Sequence, residues 1–105
     1  MTDKLLVLTT AGSEAEANQI AQALVERRLA ACVNIIPRIQ SVYRWRDKVE
    51  KSEEFLLFIK TKQVLKGELE AAIRELHSYE LPEMVGLAIE YASQEYLQWI
   101  DESVT

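Results

Sequence analysis

The stretch from Leu29 to Thr61 constrains the fold most, because its apolar residues fall on both parities of two long strands. LAACVNIIPRIQSVYRW, Leu29 to Trp45, is rich in β-branched and aromatic residues, which suit a pleated surface. EEFLLFIKT, Glu53 to Thr61, reads as the returning strand, with the polar run Arg46 to Lys51 as the hairpin connection. Pro37 has no amide hydrogen for a sheet ladder, so it marks a bulge or an edge. Side chains on a strand alternate between faces, so a sheet with one wet face has one apolar parity. Here Val33, Ile35, Phe55, Leu57 and Ile59 alternate with Cys32, Asn34, Ile36, Leu56 and Phe58, and both sets are largely apolar. Helices of so short a chain cover one face, so the second implies burial against partner subunits. The strands also outrun what one small sheet needs, and their projecting ends are candidates for pairing with another subunit.

The rest of the chain supplies the helices and the outer strands. KLLVLTT, Lys4 to Thr10, is a short continuous apolar run that suits a strand buried on both faces. Ser13 and Glu16 have the form of a capping box, and Ala17, Ile20, Ala21, Leu24 and Val25 then share one helical face. A second helix begins at Thr61 or Lys62, carries Leu65, Leu69, Ala72, Ile73 and Leu76 on one stripe, and stops near His77 ahead of Pro82. Val85 to Tyr91 reads as the fourth strand, and Ser93 caps a last helix through Tyr96, Leu97 and Ile100. The order predicts an α+β fold: a ferredoxin-like βαββαβ sandwich with an additional C-terminal helix, as one domain over residues 1–105.

Charge and cysteine usage narrow the partners. The net charge of −5 argues against a nucleic-acid surface, which needs a basic patch. A single cysteine, Cys32, leaves no internal disulfide. No apolar run is long enough for a membrane span, and MTDKLLVLTTAG is a poor signal peptide. No membrane insertion is expected, and the cytoplasm is the expected location.

The chemistry-bearing residues are few. HSYELPEM, His77 to Met84, holds the one histidine beside Glu80 and Glu83. The imidazole either caps the helix end or, with those carboxylates, takes a hard or borderline cation. Cys32, in AACVN, reads as a buried core residue or as a soft-metal ligand. Cys32 and His77 lack zinc-site spacing, and would form a nucleophilic dyad only if the fold joined them. There is no Gly-rich phosphate loop. Tyr43, Trp45 and Tyr79 read as interface packing or as the wall of a pocket between subunits. Lys60 reaches water or pairs with Glu54 or Glu83.

Taken together, LAACVNIIP, SVYRWRDKVEKSEE, FIKT, HSYELPEM and YLQWI resemble the CutA divalent-cation-tolerance family over nearly the whole chain. The resemblance implies a homotrimer similar in architecture to the PII nitrogen-regulatory proteins, with hairpins pairing across subunits. It implies a role in tolerance of copper and other divalent metals, with no enzymatic activity and no organic cofactor. The metal candidates are then His77, Glu80, Glu83 and Cys32, with Cu(II) or another divalent cation bound weakly. The alternative is a PII-like regulatory module whose intersubunit cleft, lined by Trp45, Lys60, Tyr79 and Glu83, takes a small molecule or a partner protein. Two departures stand out: Asp47 replaces the glycine of the hairpin form Trp-x-Gly-Lys, and Ser78 replaces the first proline of His-Pro-Tyr-Glu-x-Pro-Glu. The cysteine and the first histidine of copper-credited bacterial members are Thr9 and Leu76 here.

Overall fold

KLLVLTTA forms β1, Lys4–Ala11, the inner strand on which the rest is assembled. The computed structural model describes residues 2–105. Ser13 then caps α1, Glu14–Glu26, its hydroxyl accepting from the Glu16 amide at 3.1 Å. The helix ends with Arg28 at φ 59°, so that the Leu29 amide reaches back to the Leu24 carbonyl at 3.0 Å. β2, Cys32–Trp45, and β3, Lys48–Lys62, make the long hairpin. A 3₁₀ turn over Gln63–Leu65 leads into α2, Lys66–Leu76. β4, Val85–Ala88, and α3, Gln94–Ser103, complete the chain.

The sheet order is β2-β3-β1-β4, with every neighbour antiparallel. This is the ferredoxin-like α+β sandwich that the element order predicts. Leu5, Val7, Ala11, Phe55, Leu57 and Ile59 face the helices and meet Ala17, Ile20, Leu24, Leu69 and Ile73 in one core. The opposite parity forms an outer face of Leu6, Leu8, Ile36, Leu56, Phe58, Val85 and Leu87. Phe58, Leu6, Leu8 and Leu56 are only half-buried there.

Four boundaries differ from the sequence reading, each for a backbone reason. The hairpin connection is not Arg46 to Lys51 but the two residues Arg46 and Asp47, at φ 49° and 68°. Both take the left-handed geometry of a tight hairpin turn, and Trp45 pairs directly with Lys48. Ladder bonds join backbones, so the polar side chains of residues 48–51 did not reveal their pairing. The longer α2 expected from Thr61 or Lys62 starts late because β1 holds β3 as far as Lys62. β4 stops at Ala88 because β1 begins at Lys4 and gives Glu90 and Tyr91 no partner. Finally, β2 starts at Cys32, since Leu29 to Ala31 are still leaving α1.

Pro37 does mark a bulge. Ile36 pairs with Leu56 and Ile39 with Glu54, so Pro37 and Arg38 oppose Phe55 alone. Beyond the bulge the hairpin leaves the sheet and stands free: Val42, Tyr43, Trp45 and Val49 are exposed. The chain is 44 Å long and 25 × 23 Å across, with a radius of gyration of 14.2 Å. A compact chain of this length has about 13 Å.

Candidate functional site: a polar cluster at the base of the hairpin

The loop from His77 to Met84 packs on the C-terminal end of β1. Its anchor is His77, which is only 9% exposed. His77 Nε2 lies 2.6 Å from the Thr10 carbonyl oxygen, which can only accept, so Nε2 carries the hydrogen. The Tyr79 amide donates to Nδ1 at 3.1 Å, so Nδ1 carries the lone pair. The buried ring is thus a neutral imidazole with both nitrogens in use.

Tyr79 then folds back over the ring, with centroids 4.6 Å apart. Its hydroxyl donates to Glu54 Oε2 at 2.7 Å. It fits there because position 12 is glycine: a Cβ on Gly12 would stand 3.0 Å from the Tyr79 oxygen. The Ser78 amide donates to Glu16 Oε2 at 2.9 Å. Arg46 at the hairpin tip reaches Glu80 at 3.2 Å. The loop is thereby tied to β1, to α1, and twice to the hairpin.

The electrostatics of the cluster are acidic. Glu54 is 6% exposed and has no cationic partner among the described residues. Burial, then the bond to Glu54, push the Tyr79 hydroxyl well above the ordinary tyrosine range. Partial burial, then the Glu54 carboxylate, push the Glu83 carboxyl up. At Glu16, burial also pulls upward, but hydrogen bonds from Ser78 and Gly12 outweigh it and leave that carboxyl below its ordinary value.

A stability prediction follows for Glu83. A raised folded pKa means that the native state holds more protons than the unfolded chain, so this group costs stability as pH climbs past its unfolded value. Glu83→Gln is expected to raise Tm at pH 7. The gain should vanish below the ordinary glutamate value of 4.5. Parallel thermal melts at pH 7 and pH 3.5 check it; an equal gain at both pH values would refute the electrostatic cause.

The other expected site residues lie elsewhere. Cys32 sits on the outer face opposite Lys60, its Sγ 3.6 Å from Asn34 Oδ1. On β1 that level is Leu6, four residues before Thr10, or about 13 Å at ~3.4 Å per residue. One chain therefore joins Cys32 neither to His77 nor to the glutamates. Lys60 Nζ lies 3.3 Å from the Tyr96 hydroxyl and over its ring. Glu54, its suggested partner, is six residues away on the same strand, about 20 Å. Trp45 is at the hairpin tip with Arg46 over its ring. Within one chain, then, Tyr79 and Glu83 flank Glu54, Trp45 is linked to them only through Arg46 and Glu80, and Lys60 is remote. Among the described residues, no three His, Cys, Asp or Glu side chains are grouped to hold a metal ion.

Sequence reasoning missed Glu54 as the hub and saw Glu16 only as a capping residue. The one available signal was parity: Glu54 shares its strand face with Leu56 and Phe58, and a carboxylate among such neighbours needs a partner.

This fold and cluster define a small ferredoxin-like α+β protein with an unpartnered apolar sheet face and an acidic loop at its hairpin base. The family model for the CutA1 divalent ion tolerance protein matches residues 5–103, and the chain belongs to that family. The divalent-cation tolerance protein CutA of Thermus thermophilus is 46% identical over 98 residues, 93% of this chain and 95% of that one. Human protein CutA is 45% identical over 91 residues, 87% of this chain; the match spans about half, 51%, of the human protein. A solved structure of the Thermus thermophilus divalent cation tolerance protein superposes with a TM-score of 0.95 at 44% identity, covering 97% of this chain and 99% of that one. The family description and the Thermus thermophilus names speak of tolerance of an ion, and none of these names describes a reaction.

Proposed function

We propose that this protein is a homotrimer that meets divalent cations, Cu(II) among them, at the loop from His77 to Glu83, and that it acts by binding without catalysing a step. The observation that carries the reading is the donor chemistry of that loop, an imidazole and two carboxylates within seven residues, in a chain of the divalent ion tolerance family. Such donors suit a borderline divalent ion. Glu80 and Glu83 are exposed and would be met first. His77 would join them only by giving up a present hydrogen bond. Cys32 is outside this set. The trimer is supported by the apolar outer face and by the free-standing hairpin.

The test is calorimetry with Cu(II) on the wild type, on Glu80→Gln/Glu83→Gln and on His77→Ala. Weak binding that loses affinity in both variants is expected. Equal affinities in all three proteins would remove the loop from the site. Light scattering gives the assembly: a mass other than three times the 12.0 kDa chain would remove the trimer.

A second reading is a PII-like regulatory cleft. The Arg46–Glu80 pair favours it, because it draws the Trp45 hairpin tip towards the loop of Tyr79 and Glu83. A neighbouring subunit would have to supply its Lys60. Reproducible thermal stabilisation by a nucleotide, amino acid or organic acid would support that reading.

A further inference from the structure

We infer that the groove between α2 and β4 is a binding site for a small amphipathic anion, a medium-chain carboxylate in its simplest form. It stands apart from the cation reading above and does not depend on it. The groove holds about 670 Å³, within the ordinary range for small-molecule sites. Its floor follows from strand register. Leu5 pairs with Ala88 and Val7 with Gly86, and Leu5 and Val7 face the helices, so β4 presents only Gly86 and Ala88 to that side. Side chains this small leave the space above β4 unfilled. Pro82 and Met84 line the groove as well.

The wall is α2. Gly67, Glu70 and Arg74 step by three and four along one helical face, and all three line the groove. A glycine inside a helix costs roughly 1 kcal/mol against alanine. Yet no described glycine has a positive φ, and a Cβ at position 67 would meet nothing within 4 Å. Neither the backbone nor the packing of the folded chain asks for glycine there. What Gly67 does is keep the wall low. Gly86 acts alike, since a Cβ there would stand 3.4 Å from Leu5 Cδ1 and cover the floor. Of the glycines in the chain, then, Gly12 makes room for Tyr79, and the other two open this groove.

Charge selects the ligand. Lys66 and Arg74 line the groove with only Glu70 opposing them, in a chain of net charge −5. Glu70 is already paired with Arg74 at 3.2 Å, and Lys66 enters no ion pair among the described residues. Lys66 also opens α2, whose positive dipole end has no side-chain cap. A carboxylate therefore fits at Lys66, with its tail along the apolar floor towards Met84. From Lys66 to Arg74 the helix rises about 12 Å, a span that an extended octanoate chain matches.

The experiment is calorimetry with octanoate, octanol and butyrate on the wild type, Gly67→Leu and Lys66→Glu. The wild type is expected to bind octanoate, and to bind octanol and butyrate each about ten-fold more weakly, since one lacks the charge and the other most of the tail. Gly67→Leu fills the groove from its open side. It should keep or raise Tm, because leucine suits a helix better than glycine, while weakening octanoate about ten-fold. Lys66→Glu should weaken octanoate and leave octanol unchanged. Octanoate that binds both variants as it binds the wild type lies elsewhere on the chain, and that result overturns the assignment. So does an absence of binding at millimolar octanoate. If Gly67→Leu instead lowers the mass seen by light scattering, the groove holds a second copy of the chain, and the ligand assignment falls.

Discussion

Phe58→Asp is expected to leave the protein folded and monomeric. Phe58 occupies the middle of the outer sheet face, directly opposite Leu8 on β1 and Asn34 on β2. Leu6, Leu56, Ile36, Val85 and Leu87 complete the apolar surface around it, and none of these residues belongs to the core that the helices close. In an isolated subunit the new carboxylate would sit at a half-open position and keep its water. In an assembly buried through this face, it would lose that water, with Lys60, two residues along the same strand face, already engaged by Tyr96, at a cost of several kcal/mol per subunit. Three copies of that cost exceed what an interface of ordinary size tolerates. Light scattering at micromolar concentration should give one chain mass for this variant where the proposed trimer gives three, with the far-ultraviolet circular dichroism kept. Phe58→Leu, which preserves the apolar surface, should remain assembled. A trimer that survives Phe58→Asp would show that the outer face is not the subunit interface.

This surface was legible in the sequence because strand parity is a strict code. Leu56 and Phe58 on one side, with Leu57 and Ile59 on the other, already state that both faces are apolar, whatever the register. The helices were legible for the same kind of reason: Leu69, Ala72 and Ile73 repeat at helical spacing and are all buried. The turn at Arg46 and Asp47 was less visible, because neither residue is the glycine that left-handed geometry favours. The polar cluster was legible only in part. His77, Tyr79 and Glu83 are neighbours in sequence, but Gly12, Glu16 and Glu54 reach them through the sheet register and the packing of α1. Spacing along a chain carries no record of such meetings. Nor could the sequence say which atoms of His77 are free, since that depends on a carbonyl 67 residues away.

The same carbonyl sets the second large effect. His77→Ala is expected to destabilise the folded protein by about 2–4 kcal/mol, because it removes a buried ring and strands the groups that the ring satisfied. The Thr10 carbonyl loses its side-chain donor, the Tyr79 amide loses its acceptor, and Tyr79 loses the surface that holds its hydroxyl on Glu54. His77→Gln should recover part of the loss, since its amide nitrogen can donate to Thr10 while offering Tyr79 no acceptor at the Nδ1 position. Glu80→Gln should cost no more than about 0.5 kcal/mol, because its pair with Arg46 is exposed on both sides. Urea unfolding at one fixed protein concentration separates the three, the fixed concentration being needed because the proposed assembly would add to apparent stability. The informative feature is the ordering. If His77→Ala cost as little as Glu80→Gln, the imidazole would not be holding the loop in solution. If Ala is severe and Gln intermediate, the ring acts through its two hydrogen bonds, one to Thr10 and one from the Tyr79 amide.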